Sequence, residues 1–168
     1  APASVSGRLT VDLDAFVAKW RKLEKTAVPA ECAGGIKADA YGCGAEPVAR
    51  TLAAAGCKTF FVATLDEARA ARAVLPAAAA IYVLDGFFQN CGDAFAKSDA
   101  RPVIGDLNEL ADWDVFRRRS GWDCRAAIHT HTGHSPARLA PPDAQVLAPP
   151  ITASTTRRPP VCRHPASG

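Results

Sequence analysis

Between residues 11 and 25, Val11, Leu13, Phe16, Val17, Trp20 and Leu23 recur at helical spacing, and Thr10 or Asp12 is available as a cap. Residues 34–39 then read as a strand whose small side chains permit close packing. A helical pattern occupies 45–55, with Pro47 tolerated in its first turn and Gly56 placed to end it. The alternation repeats: a β-type run at 59–64 built on Phe60, Phe61 and Val62, a helix rich in Ala, Glu and Arg at 65–74, and a strand at 80–84. Asp85 and Gly86 turn the chain, and 87–97 fits neither period. A short strand at 102–104 precedes a helix at 106–119, acidic at its start and ending in three arginines, which suits both poles of the helix dipole. A further strand is expected at 125–130.

Strand and helix alternate every 20 to 25 residues or about that, the pattern of a parallel sheet made of βα units. Either a closed eight-stranded barrel or an open doubly wound sheet satisfies it. Five strands are legible, and a complete barrel of about 250 residues exceeds this chain. From Pro136 onward the character changes. Pro141, Pro142, Pro149, Pro150, Pro159, Pro160 and Pro165 crowd a segment with few large apolar residues, so 136–168 is expected to be a poorly ordered tail.

The 168 residues, 48% hydrophobic and 22% charged, suit one domain with a real core. The longest apolar run, 75–84, is Ala-rich and interrupted by Pro76, too short for a bilayer. No targeting segment is visible, and a cytoplasmic protein is expected. The six cysteines are scattered singly, without the paired spacing of a metal site, and read as free buried thiols. The net charge of +3 is carried by Arg157, Arg158 and Arg163, beyond the last acidic residue, Asp143. The body of the protein is balanced, which gives no support to nucleic-acid binding.

Chemistry concentrates in 34–44. Lys37 precedes a Gly-rich turn at a strand end, where parallel βα folds gather functional groups. Apolar surroundings disfavour the charged amine and free its lone pair for attack on an aldehyde. Tyr41 lies past the turn, where its hydroxyl could reach a phosphate held by the following helix N-terminus and by amides near Gly42 and Gly44. A lone lysine after an isoleucine is more often simply solvated.

The run KADAYG at 37–42, followed by one residue and Gly44, is similar to the signature around the pyridoxal phosphate lysine of alanine racemases. VDLDAF at 11–16, FFVATLDEARAAR at 60–72, IYVLDGF at 81–87, PVIGDLNELADW at 102–113 and AAIHTHTG at 126–133 resemble successive units of the same family. The resemblance implies an incomplete (β/α)8 TIM-type barrel of five to six βα units over residues 1–135, with the family's C-terminal β domain absent. It implies a pyridoxal 5'-phosphate enzyme interconverting L- and D-alanine for cell-wall supply. Lys37 would carry the cofactor as a Schiff base and act as the base on one face of the substrate, Tyr41 would bind the phosphate, and Leu84 would line the pocket.

Departures accompany the matches. Cys43 stands where the family has His, and the family's HxDTGMxRLG is matched by HTHTGHSPARLA at 129–140, with Pro136 at the anchoring arginine and Arg138 two residues late. Residues 163–167 resemble the strand whose histidine packs on the pyridine ring, making His164 the candidate there. The family's homodimer supplies a second base, a tyrosine of the partner's C-terminal domain, so the chain alone is expected to be inactive. A pyridoxal-phosphate-binding barrel without racemase activity, and a nonfunctional remnant, are the alternatives.

Overall fold

Asp12 takes the capping role at the first helix, accepting from the Ala15 N–H at 3.1 Å, so α1 runs Leu13–Ala27. Its buried Trp20 donates from the indole to the Cys32 carbonyl at 3.2 Å and ties the helix to the approach of the first strand. The computed structural model of the chain describes residues 10–122 and 125–129. The boundary expected at 135 and the whole of 136–168 lie outside the described residues.

The expected strand at 34–39 is cut to β1 (Gly34–Gly35), because Ile36 leaves extended geometry at φ −120° and ψ 15°. Gly34 sits where a side chain would be tightly packed. A Cβ there would lie 3.2 Å from both Leu52 and Phe60. After a turn labelled α2 (Lys37–Gly42), α3 (Ala45–Ala55) ends on Gly56 at φ 112°. Then come β2 (Thr59–Val62), α4 (Leu65–Val74) and β3 (Ala80–Val83). The stretch that fitted neither period contains α5 (Gly92–Ser98), whose two turns are too few to establish a repeat. Tertiary packing holds it: Phe95 is fully buried, and Phe87 meets Phe95, Trp113 and Phe116 at ring centroids of 5.6, 5.1 and 5.9 Å. Next are β4 (Ala100–Ile104), α6 (Leu107–Ser120), capped by Asp106, and β5 (Ala127–Ile128).

The five strands pair in parallel and in chain order, β1-β2-β3-β4-β5. A doubly wound sheet reverses its strand order at a switch point. No reversal occurs among the described strands, and the chain is an incomplete (β/α)8 barrel. Phe60, Val62, Ile81, Val83, Ala100, Pro102 and Ile104 form the buried core between sheet and helices. On the other face Phe61, Tyr82 and Arg101 are register partners in one row. Phe61 and Tyr82 stack at 5.3 Å, and Arg101 lies 5.5 Å from the Tyr82 ring and donates to its hydroxyl at 3.2 Å.

Arg72 on α4 closes the opposite end of the sheet from Lys37. It donates to the carbonyls of Pro76 (3.0 Å), Ala79 (2.8 Å), Ser98 (3.2 Å) and Asp99 (3.1 Å), joining the α4–β3 and α5–β4 connections. Among the described residues no helix is long and apolar enough to cross a membrane. Of the described cysteines only Cys57 is buried; Cys32, Cys43 and Cys91 are half-buried and pack against the edge of the core.

Arg72→Ala should cost about 2 to 4 kcal/mol in urea unfolding, since several partly buried carbonyls lose a charged donor. Arg72→Lys, with no planar fork, should recover less than half of that. Burial pushes the Cys57 thiol up to about 11, opposed by a backbone hydrogen bond at Thr59. At about pH 8 roughly one molecule in a thousand carries its thiolate, so iodoacetamide should spare Cys57 in the folded chain and label it after urea.

Candidate functional site

The turn that carries Lys37 is left-handed. Ala38, Asp39, Ala40 and Tyr41 follow one another at φ 50° to 56° and ψ 38° to 51°, and none is glycine. Each L-residue in this conformation costs about 1 to 2 kcal/mol, so the turn carries about 4 to 8 kcal/mol of strain. Several bonds oppose it. The Ala40 N–H donates to Ile36 O at 3.0 Å, Cys43 N–H to Ala40 O at 3.2 Å, and Gly44 N–H to Asp39 O at 3.0 Å. Ala40 is buried, and the Asp39 carboxylate accepts from the Ala45 N–H at 2.6 Å.

Lys37 stands at the start of this turn, just past the sheet, half-buried rather than enclosed. Its Nζ lies 5.9 Å from the centre of the Tyr41 ring, within cation–π range, and Tyr41 is 70% exposed. The structure therefore brings Lys37 and Tyr41 together. Leu84 follows the last residue of β3 as Lys37 follows the end of β1, so both stand at the C-terminal rim of the sheet. Leu84 is 37% exposed where its neighbour Val83 is buried, as alternation across the sheet requires.

At the N-terminus of α3 the amides of Cys43, Gly44 and Ala45 bond within the turn, to the Ala40 and Asp39 carbonyls and the Asp39 carboxylate. The Asp39 carboxylate occupies that pole of the helix, and a second anion beside it would be repelled. Arg138 and His164 lie outside the described residues. A cavity of about 590 Å³ between Leu107, Trp113, Arg117 and Ile128 lies at the far edge of the sheet along α6 and β5. A smaller one of about 290 Å³ lies behind the turn, on the helix side of Ile36 and Val62.

Glu67 was not singled out by sequence reading, yet it touches the turn directly. Its Oε1 accepts from the Ala38 N–H at 2.8 Å and its Oε2 from the Ala63 N–H at 2.7 Å. Its own N–H is held by the Thr64 hydroxyl, 3.3 Å away, which caps α4. The same device recurs further along. Glu109 accepts from the Gly105 N–H at 2.8 Å and from the Phe87 amide, in the sequence GDLNE at 105–109 against ATLDE at 63–67. That repeated pair of capping boxes is the signal that could have pointed to Glu67.

Residues 11–153 match the family described as alanine racemase, N-terminal domain. The chain belongs to this family. It is 48% identical over 148 residues to the alanine racemase of Methylobacterium nodulans, and 38% identical over 148 residues to a catabolic alanine racemase of Agrobacterium fabrum. Each of those alignments takes in 88% of this chain, and 40% and 38% of the respective relatives. Among solved structures, the alanine racemase of Bartonella henselae with covalently bound pyridoxal phosphate superposes at a TM-score of 0.72 and 34% identity. That superposition covers 82% of this chain and 38% of the other. The Streptomyces coelicolor alanine racemase gives 0.72 at 28% identity, over 82% and 37%. The chain thus spans about two fifths of the curated alanine racemases it matches.

Within this alanine racemase domain, Ala38→Gly should be neutral or stabilise by up to about 1 kcal/mol, because Gly carries no penalty at positive φ. Ala38→Val should destabilise by about 1 to 2 kcal/mol, read in urea titrations. Burial raises the Glu109 carboxyl above its ordinary 4.5, opposed by the Gly105 amide, reinforced by the Asp106 charge, and opposed by the Phe87 amide. The folded chain holds this proton more tightly than the unfolded one. Its contribution is therefore fully present below 4.5 and lost as pH rises through the raised folded value. Between about pH 4 and about pH 7, the stability difference between wild type and Glu109→Gln should shift against wild type.

Proposed function

We propose that this chain is the cofactor-bearing part of an alanine racemase that interconverts L- and D-alanine with pyridoxal 5'-phosphate, in the cytoplasm, for D-alanine supply to the cell wall. The observation that carries this reading is Lys37, an amine at the C-terminal rim of a parallel sheet, set over Tyr41 by a strained turn. The residues at the rim suit the cofactor's chemistry. A primary amine can condense with its aldehyde, an exposed phenol can donate to its phosphate, and the apolar Leu84 side chain offers a wall to its ring.

Bound pyridoxal phosphate supplies an electron sink for the substrate α-carbon. Lys37 holds the group at Nζ and moves the proton on one face of that carbon. Tyr41 directs its hydroxyl to the phosphate. On the same reading Arg138 would anchor the substrate and His164 would be the residue to pack on the pyridine ring. Inversion needs a second base on the opposite face, which the reading assigns to a tyrosine of the partner subunit in a homodimer.

The test is borohydride reduction after incubation with pyridoxal phosphate, followed by peptide mass mapping. Pyridoxyl label is expected on Lys37 and not on Lys58, lost in Lys37→Ala, with cofactor affinity lowered about tenfold in Tyr41→Phe. Label spread evenly over Lys19, Lys37, Lys58 and Lys97 would sink the proposal. Label on Lys37 without D-alanine formation by the full-length protein would favour the cofactor-binding barrel that does not racemise.

A further inference from the structure

We propose that Glu67 is the positioning residue for Lys37. Its carboxylate joins the amides of Ala38 and Ala63, which belong to two successive βα units, and so fixes the left-handed turn against the end of β2. This rests on the reading of Lys37 as the cofactor lysine.

Three observations converge. The turn cannot hold itself cheaply: its four left-handed residues carry about 4 to 8 kcal/mol of strain, and an unheld chain would relax toward ordinary geometry. Second, the Ala38 N–H is the first amide of the left-handed run, while the first bond made inside the turn comes from Ala40, back to Ile36. Glu67 supplies the acceptor that the turn lacks, at 2.8 Å, one peptide unit from the Lys37 α-carbon. Third, Glu67 is itself immobilised. It sits in the first turn of α4, capped by Thr64, on a helix whose other end is anchored by Arg72 through four carbonyls. The backbone that carries the carboxylate is therefore fixed, and its two amide bonds set the side chain.

Glu109 provides the internal control. It makes the equivalent pair of bonds between the end of β4 and the loop after β3, where no lysine follows. If the carboxylate only fastened strand ends, the two residues would be interchangeable in their effects. If Glu67 aims Lys37, only its loss should reach the amine.

Glu67→Gln keeps the length of the side chain but replaces one acceptor oxygen with an NH₂ that faces an N–H. In the chain without cofactor, Ala38 should exchange its amide proton about tenfold faster in this variant and at the wild-type rate in Glu109→Gln. With pyridoxal phosphate and borohydride, labelling of Lys37 relative to Lys58 should slow by about tenfold in Glu67→Gln and stay within about twofold in Glu109→Gln. A purely structural role would leave that ratio unmoved. Wild-type exchange at Ala38 in Glu67→Gln, or equal slowing of Lys37 in both variants, would overturn the proposal. If wild type fails to label Lys37, the reading of its function falls. The positioning role is then decided by exchange at Ala38 together with acetic anhydride labelling of Lys37 against Lys58, where the same selective change is expected and its absence refutes it. Should Glu67→Gln lose protection throughout the sheet, Glu67→Asp, too short to span both amides, is read in its place by the same criteria.

Discussion

Parallel strands leave backbone groups without strand partners at both ends of a sheet, and α4 meets that need with charge. At the C-terminal ends of the strands Glu67 accepts from two amides; at the N-terminal ends Arg72 donates to four carbonyls. Both bonds are of the stronger, charge-assisted kind, and both ends of the helix are bound to chain outside it. The core between Val62, Ile81, Ala68 and Ala71 supplies the non-directional attraction. The two charged residues supply direction, fixing how far α4 slides along the sheet and hence where the rim carrying Lys37 stands relative to the next unit.

Strain and anchoring meet at one place. Four non-glycine residues in left-handed conformation run from the residue after Lys37 to Tyr41 itself, while Gly42 and Gly44, also at positive φ, release the chain into α3. In a right-handed helix the chain would leave β1 in the opposite sense. The left-handed turn instead brings the Tyr41 ring under the lysine amine, and Asp39 closes the assembly by bonding to the first residue of α3.

Much of the fold was legible because its signals are local. The limits of α3 and α4 agree residue for residue with the pattern read from the chain, since Gly56 stops one and Thr64 starts the other. The strands were read too long where the chain turns away early: Ile36 looks like strand by composition, but its ψ of 15° ends the sheet before Lys37. Left-handed geometry at Ala38 to Tyr41 was invisible, because alanine and tyrosine announce nothing of the kind and the conformation is imposed by tertiary bonds. Helix α5 was hidden for a similar reason, its seven residues being held by the burial of Phe95 against Phe87, which in turn meets Trp113 and Phe116 of α6. At the site, Lys37 and Tyr41 could be picked out by chemistry and spacing, while Glu67, separated from Ala38 by 29 positions, could not be placed without coordinates.

The sequential order of the strands has a kinetic meaning. Every strand finds its partner about two dozen residues away, so loop-closure entropy stays small at each step and contacts can form soon after the residues that make them have been synthesised. A nascent chain emerging at about 5 to 20 residues per second would add one βα unit every second or few. Until β2 and the first turn of α4 have emerged, Ala38 has no carboxylate to hold it. The lysine would therefore acquire its final setting one unit later than the strand that bears it, as a delayed step in vectorial assembly.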